Sequence, residues 1–398
     1  MLNNITKFFK VETIVLLLSI LILLNYITIL INYNNFIIKL VFSVYILITV
    51  LFFVYKPLNF FCLKFTLILL TLIILGNPTY QWDAWAVWLF KAKRIYFEQS
   101  LFVFFDNYAP WSHNDYPLIA PAFAASLGTL IGGWNNIFPK LAFLLMYFPP
   151  LILSVKVFDF RYNLLFLIIT LALFNLEFIL GYMDGLVAIY FTFSAYLINE
   201  IFFNNKKSYI YVLITFCFLS ILSLLKNEGA VLTVILLSSI IINNLVNKKV
   251  IINFDRTIII FFSLVLFLLW KFLCTQNGIE SAFLNKSTLS YSKNLLLNFK
   301  SLLLIFKFLI LDSRFLVSLL FFLITFYYAK NKKIFYFCIY VSLAYLIVLF
   351  YTFLITPFPL LWHLEFASSR IILSLAYVLS FFSLLEIYLN QIKKLLKL

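Results

Sequence analysis

The chain has 398 residues, of which 65% are hydrophobic and only 11% are charged. Soluble domains are close to half apolar, so the composition excludes an ordinary soluble protein and predicts an all-α protein that crosses a membrane many times. The formal net charge is +15, but the basic residues stand in short clusters between apolar runs. That placement indicates orientation in a bilayer rather than binding to nucleic acid.

The apolar runs approach the length of roughly 20 residues that a spanning helix needs. The first run follows Lys7 and Lys10 without a small-residue cleavage site, so we expect a retained helix and not a signal peptide. We therefore predict a single transmembrane domain over residues 1–398 with about twelve spanning helices. The predicted spans lie at about 11–31, 36–54, 60–76, 137–155, 163–180, 186–203, 209–225, 230–246, 257–273, 315–329, 334–355 and 371–389.

Placing the N-terminus inside puts most Lys and Arg residues on the inner side, as the positive-inside rule requires. The outer side then holds a long loop at 77–136, turns at 181–185 and 226–229, a loop at 274–300 and a last loop at 356–370. Within the first loop, the apolar run 118–133 is bounded by prolines and glycines, so we expect an interfacial or re-entrant helix. The inner connections carry no phosphate-binding loop, so any activated substrate must come from the lipid or the outer side.

The first outer loop collects tryptophans and acids, which marks it as the candidate active site. Asp83 opens an amphipathic segment over residues 84–98, in which Lys91, Lys93 and Arg94 are expected on the polar face. Asp83 is the candidate general base, which would take the proton from an attacking hydroxyl at the boundary of water and lipid. Alternatively, Asp83 simply caps the helix that follows it.

Other side chains of this loop are candidates for binding substrate. His113, Asp115 and Tyr116 lead into the interfacial helix, and they would hydrogen-bond a substrate or form a polar turn before a helix. Together with Asp83, two of them would also supply ligands for a divalent metal ion, although their spacing matches no specific metal motif. Trp82 and Trp85 would stack on a sugar or anchor the chain at the membrane interface.

The later outer segments supply a second acid and several cations. Asp184 is a carboxylate at the edge of a spanning run, which is costly unless it is functional, and the alternative is a plain turn acid. Lys226 and Glu228 would pair with each other or bind substrate. His363 and Arg370 stand in the predicted last loop, where Arg370 would hold a lipid phosphate through its fork of donors or serve as an interface residue.

Three segments together resemble the GT-C class of polytopic glycosyltransferases over about residues 76–200. They are Trp-Asp-Ala-Trp at 82–85, Asp-Tyr-Pro-Leu at 115–118 and Gly-Tyr-Met-Asp at 181–184. The nearest look-alikes are bacterial relatives of the protein O-mannosyltransferases and of the lipid A aminoarabinose transferase. The resemblance implies a GT-C-like bundle in the bacterial cytoplasmic membrane, with its active site facing outside.

The same resemblance implies a polyprenyl-phosphate-linked sugar donor, a lipid- or glycan-linked acceptor and inversion at the sugar carbon. Asp83 matches the first-loop acid of that class, Asp184 its second outer acid, and Arg370 a phosphate contact. Two other functions remain open from the sequence. They are a transporter or flippase, and a polymerase or ligase of lipid-linked glycans. The absence of an internal duplication disfavours the transporter, and the early position of the long loop disfavours the polymerase.

Overall fold

The computed structural model describes residues 10–55, 60–77, 79, 81–174, 181–246, 254–280, 299–329 and 332–395. Every regular element in this part of the chain is helical. The helices are α1 Val11–Ile31, α2 Asn35–Tyr55, α3 Phe61–Gly76, a π-helical turn Asp83–Trp88, α4 Leu89–Glu98, α5 Ile119–Ile131, α6 Pro139–Val157, α7 Phe160–Phe174, α8 Asp184–Phe203, α9 Tyr209–Leu225, α10 Asn227–Val246, α11 Phe254–Gln276, α12 Phe299–Ile310, α13 Ser313–Tyr328, α14 Lys333–Leu354 and α15 Leu360–Leu395.

Eight of these helices are long and apolar enough to cross a membrane, counted within the described residues. A ninth candidate is the pair α12 and α13, which meet at a bend of 70°. The shorter apolar helices α3, α7 and α9 lie on three further predicted runs, although residues 175–180 of one run fall outside the described part. The helical class is therefore confirmed, and the helices indicate an integral membrane protein.

Two helices form the centre of the bundle. In α8, 89% of the most apolar window is buried inside the protein, and in α15 the share is 83%. In α2 and α11 the shares are only 28% and 22%, so these helices present apolar side chains outward. A helix that is apolar on all sides is stable either in the centre of a bundle or against lipid, and both cases occur here.

The predicted helix at 118–133 forms as α5, which is too short to cross a membrane. Residues Ile119–Thr129 are all buried, because α1, α2, α4 and α6 pack around them. Alanine and glycine at many of these positions allow the close approach of neighbouring helices. Of the two expected placements, a helix inserted into the bundle describes α5 better than a helix lying on its surface.

The predicted last outer loop at 356–370 is wrong over most of its length. Helix α15 begins at Leu360, directly after Pro359, so His363 and Arg370 stand on a helix. Proline favours the start of a helix, and no further proline or glycine interrupts the chain before Leu395. The prediction failed because the charged residues interrupt the hydropathy pattern without interrupting the helix.

A close helix crossing beside the turn at 226–229 gives a test of the packing. A Cβ added at Gly229, near the start of α10, would overlap the carbonyl oxygen of Leu222 on α9. We expect Gly229→Ala to destabilise the protein by about 1–3 kcal/mol, because a backbone carbonyl cannot move aside as a flexible side chain can. Thermal unfolding in detergent measures the change, and Gly133→Ala is the matched control, since no atom lies within 4 Å of its added Cβ. Equal melting temperatures for both variants would contradict this packing.

Candidate functional site

A cavity of about 520 Å³ lies where the first loop meets the N-terminal turns of α15. The π-helical turn forms one wall, the segment at 226–228 forms another, and α15 closes it on the side of Arg370. The helix ends that the sequence placed on the outer side therefore meet at one end of the bundle. The lining includes Gln81, Trp82, Asp83, Trp88, His113, Tyr116, Tyr182, Lys226, Glu228, Phe358, Trp362, His363, Glu365, Phe366 and Arg370.

Two acids that are far apart in the sequence share the guanidinium of Arg370, although only Asp83 of the two lines the cavity. Arg370 donates from Nη1 to Oδ2 of Asp83, and the same Nη1 lies 3.9 Å from Oδ2 of Asp184. Asp83 is the first residue of the π-helical turn, and it bonds Arg370 instead of capping the helix. π-helical turns are frequent at functional sites, because they redirect side chains from their regular helical positions.

Asp184 is a buried acid and not a plain turn residue. Only 6% of Asp184 is exposed, and its Oδ1 accepts a hydrogen bond of 3.0 Å from Nζ of Lys226. The same ammonium lies 3.3 Å from Oε1 of Glu228. Burial disfavours the charged form of Lys226, but the carboxylates of Asp184 and Glu228 outweigh burial and raise the pKa of Lys226. Lys226 is therefore a cation fixed at the cavity wall.

His113 and Tyr116 form a stacked pair that lines the cavity. Their rings lie 4.8 Å apart at an interplanar angle of 17°, and Tyr116 also packs on Trp88. His113 has a positive φ of 55°, which lets its carbonyl turn inward. Burial, followed by the charge of Lys91, lowers the pKa of His113, so its imidazole is neutral at neutral pH.

Lys91 is buried, contrary to its predicted place on a polar helix face. Its side chain is 0% exposed, and its Nζ donates a hydrogen bond of 2.6 Å to the carbonyl of His113. The rings of Trp88, Phe104 and Tyr116 lie 5.5–5.8 Å from this nitrogen. Lys91 therefore anchors the backbone of His113, a residue of the cavity wall.

The buried position of Lys91 predicts a pH-dependent stability. Burial lowers the pKa of Lys91 to about 7 from its ordinary 10.5. Between these values the unfolded chain binds a proton that the folded chain lacks, so this group makes the folded state more stable as pH rises from about 7 to 10.5. We expect Lys91→Met to remove this slope from melting temperatures measured across that range, with Lys93→Met, on the exposed face of α4, leaving it unchanged. A slope that persists in Lys91→Met would contradict the assignment.

Asp115 is held away from the cavity by three other groups. Its Oδ2 accepts hydrogen bonds of 3.0 Å from both Lys271 and Asn227. Its carbonyl accepts from the indole of Trp270 and from Lys271. Asp115 therefore ties the first loop to α11 and to the segment beside Lys226, and it is not among the residues that line the cavity.

Of the three remaining predicted residues, His363 and Trp82 line the cavity and Trp85 does not. His363 lines the cavity, and its Nδ1 is 2.7 Å from the hydroxyl of Thr356. Trp82 also lines it while remaining 62% exposed. Trp85 is equally exposed and contacts Trp82, but it does not line the cavity. Exposed Trp362 and Phe366 extend this aromatic rim along α15.

The donor atoms expected for a metal ion point to different partners. Asp83 bonds Arg370 and Asp115 bonds Lys271, as described above, and His113 stacks on Tyr116. Within the described residues, no group of three or more His, Cys, Asp or Glu side chains is arranged to hold a metal ion. Among the described residues, no set of side chains therefore forms a site for the divalent metal ion that the sequence permitted.

Two residues of the site were missed by the sequence reasoning. The ring of Tyr182 lies 4.8 Å from the guanidinium of Arg370, and its hydroxyl donates to Gln81. Lys271 holds Asp115, and a lysine that interrupts an apolar run was a signal that could have found it.

The chain was also compared with protein-family models, with curated proteins and with solved structures, and no match was found in any of the three.

Proposed function

We propose that this chain is a membrane glycosyltransferase of the GT-C type. It moves a sugar from a polyprenyl-phosphate donor to a hydroxyl of a lipid- or glycan-linked acceptor, with inversion. In this proposal the bundle crosses a bacterial cytoplasmic membrane about twelve times, and the cavity opens on the outer face. One observation supports it: Asp83 and Asp184 meet at the guanidinium of Arg370, which lines a cavity with an exposed aromatic rim.

The cavity has the size and chemistry that such a substrate requires. Its volume of about 520 Å³ lies within the range of roughly 300–1,000 Å³ typical of small-molecule sites. Arg370 and Lys226 supply cations for a phosphate, and the rings of Trp88 and Tyr116 supply faces for a sugar. The exposed aromatic side chains at the mouth suit a prenyl tail that stays in the lipid.

The transfer needs one base and one stabilised leaving group. The acceptor oxygen attacks the anomeric carbon, the bond from that carbon to the phosphate oxygen breaks, and the phosphate leaves with the electron pair. Asp83 takes the acceptor's proton as the new bond forms. Arg370 and Lys226 stabilise the charge on the departing polyprenyl phosphate. A single displacement of this kind inverts the sugar carbon without a second carboxylate as nucleophile.

The pairing of Asp83 with Arg370 is compatible with the binding of a donor phosphate. A donor phosphate is a stronger partner for a guanidinium than one carboxylate, because it offers several oxygens to the fork of donors. When the phosphate engages Arg370, Asp83 becomes available for the acceptor hydroxyl. Asp184 keeps Arg370 and Lys226 in place, since it contacts both of them.

Purified protein and a panel of radiolabelled polyprenyl-phosphate sugars test this proposal. We expect the release of polyprenyl phosphate together with a glycosylated product whose anomeric configuration, read by NMR, is opposite to that of the donor. A retained configuration would contradict direct displacement. If neither purified protein nor membranes that contain it release polyprenyl phosphate from any donor of the panel, the proposed function is wrong.

A further inference from the structure

A second cavity of about 440 Å³ lies beyond the first along the same helical segment. Its lining comes from α4 and from the part of the loop that carries Asp106 and Tyr108. Val87 lines the first cavity and Arg94 the second. Trp88 also lines the first cavity and Phe90 the second, so the two cavities are neighbours along one continuous helical segment.

The charged groups of the second cavity satisfy one another. Nε of Arg94 lies 2.8 Å from Oε1 of Glu98, and Nη2 lies 2.7 Å from Oδ2 of Asp106. The side chain of Arg94 is only 12% exposed, whereas those of Glu98 and Asp106 are 46% and 48% exposed. The cation is thus enclosed. Each oxygen of the two carboxylates accepts a hydrogen bond from Arg94, but both carboxylates are half-exposed, and a carboxylate oxygen can accept more than one hydrogen bond. With Lys93 the charges balance, which disfavours an anionic ligand and favours a neutral one that donates hydrogen bonds.

Two exposed rings flank these carboxylates. Phe97 is 62% exposed and Tyr108 is 71% exposed, and both line the cavity. The ring of Tyr108 is held in place because the guanidinium carbon of Arg94 lies 5.7 Å from its centre. A fixed aromatic face beside outward carboxylates matches a sugar ring, which has apolar C–H faces and hydroxyl donors at its edge.

We propose that the second cavity binds a neutral saccharide unit of the acceptor. This inference rests on the proposed function, because it assigns the bound saccharide to the acceptor side of that reaction. An acceptor glycan seated here would lie beside Tyr108 and donate hydroxyl hydrogen bonds to Asp106 and Glu98. Its next units would run along α4 toward Asp83. The protein is then a transferase that extends a glycan, and its acceptor has sugars beyond the hydroxyl that reacts.

An array of short neutral oligosaccharides, probed with the purified full-length protein, tests this inference. The best-retained oligosaccharide is then titrated against variants. We expect Tyr108→Ala to weaken binding about tenfold through loss of the stacking face. Asp106→Asn should also weaken it, because an amide presents one acceptor oxygen where the carboxylate has two. Tyr328→Ala is the matched control, since Tyr328 is 75% exposed on a different helix.

The outcomes separate this inference from the proposed function. Asp83→Asn should bind the oligosaccharide as the wild type does and still fail to transfer sugar. Failure of the wild type to bind any arrayed oligosaccharide, or binding that is indifferent to both Tyr108→Ala and Asp106→Asn, would overturn the second site. If the protein still transfers sugar in that case, the proposed function is unaffected. Competition by inorganic phosphate would instead reveal a headgroup site and would also overturn the inference.

Discussion

Asp83→Asn is expected to reduce sugar transfer by a factor of about 10²–10⁴, which is the usual contribution of a general base. The amide cannot accept the acceptor's proton, while the shape of the side chain is nearly unchanged. Arg370 keeps a carboxylate neighbour in Asp184, so donor binding should change far less than turnover. The rate of polyprenyl phosphate release at saturating donor measures turnover. The donor concentration that gives half the maximal rate reports on donor binding.

Asp255→Asn is the control for this substitution. Asp255 is an exposed acid near the start of α11 and does not line the first cavity. The same chemical change there should leave the rate unaltered. Turnover that survives in Asp83→Asn would show that another group takes the proton, even if the cavity is the site of reaction.

Asp184→Asn is expected to lower the stability of the folded protein by about 3–5 kcal/mol, which is the range for removing one partner of a buried ion pair. The side chains of Asp184 and Lys226 are only 7% and 10% exposed. Without Asp184, Lys226 keeps only the more exposed Glu228 as an anionic neighbour, at 3.3 Å. Thermal unfolding in detergent, followed by circular dichroism, measures the loss.

A double variant distinguishes the ion pair from a general effect of the substitution. Asp184→Leu combined with Lys226→Met removes both charges, and such replacements recover much of the lost stability. We therefore expect the double variant to melt above Asp184→Asn and to remain inactive, because the cavity would lack one cation for the phosphate. A double variant less stable than Asp184→Asn would show that the ion pair is not the main contribution of Asp184.

The meeting of Asp83, Asp184 and Arg370 followed from helix topology and could be predicted. Each residue stands at or near an end of an apolar run, and the predicted alternation of the runs across a bilayer places those ends on the same side. The helical class followed from composition for the same reason, since backbone in hydrocarbon must satisfy its hydrogen bonds locally. Neither inference needed side-chain packing.

Side-chain direction within the first loop could not be predicted in the same way. Hydropathy placed Lys91 on a polar face, but the π-helical turn rotates the helix that follows it, and Lys91 points inward beneath Tyr116. Asp115 was expected at the substrate, and its partner Lys271 is far away in the sequence. Such pairings depend on how distant helices pack, and the hydropathy pattern of one segment carries no information about that packing.

A photoactivatable polyprenyl phosphate offers the most direct test of the claim that the first cavity receives a lipid-linked donor. After irradiation with the purified protein, the labelled peptides are identified by mass spectrometry. We expect labelling at 81–88 and at 358–371, which carry the cavity-lining residues Trp82 and Trp362, and loss of that labelling when unlabelled donor competes. Labelling confined to the outward faces of α2 and α11, unaffected by competitor, would contradict it.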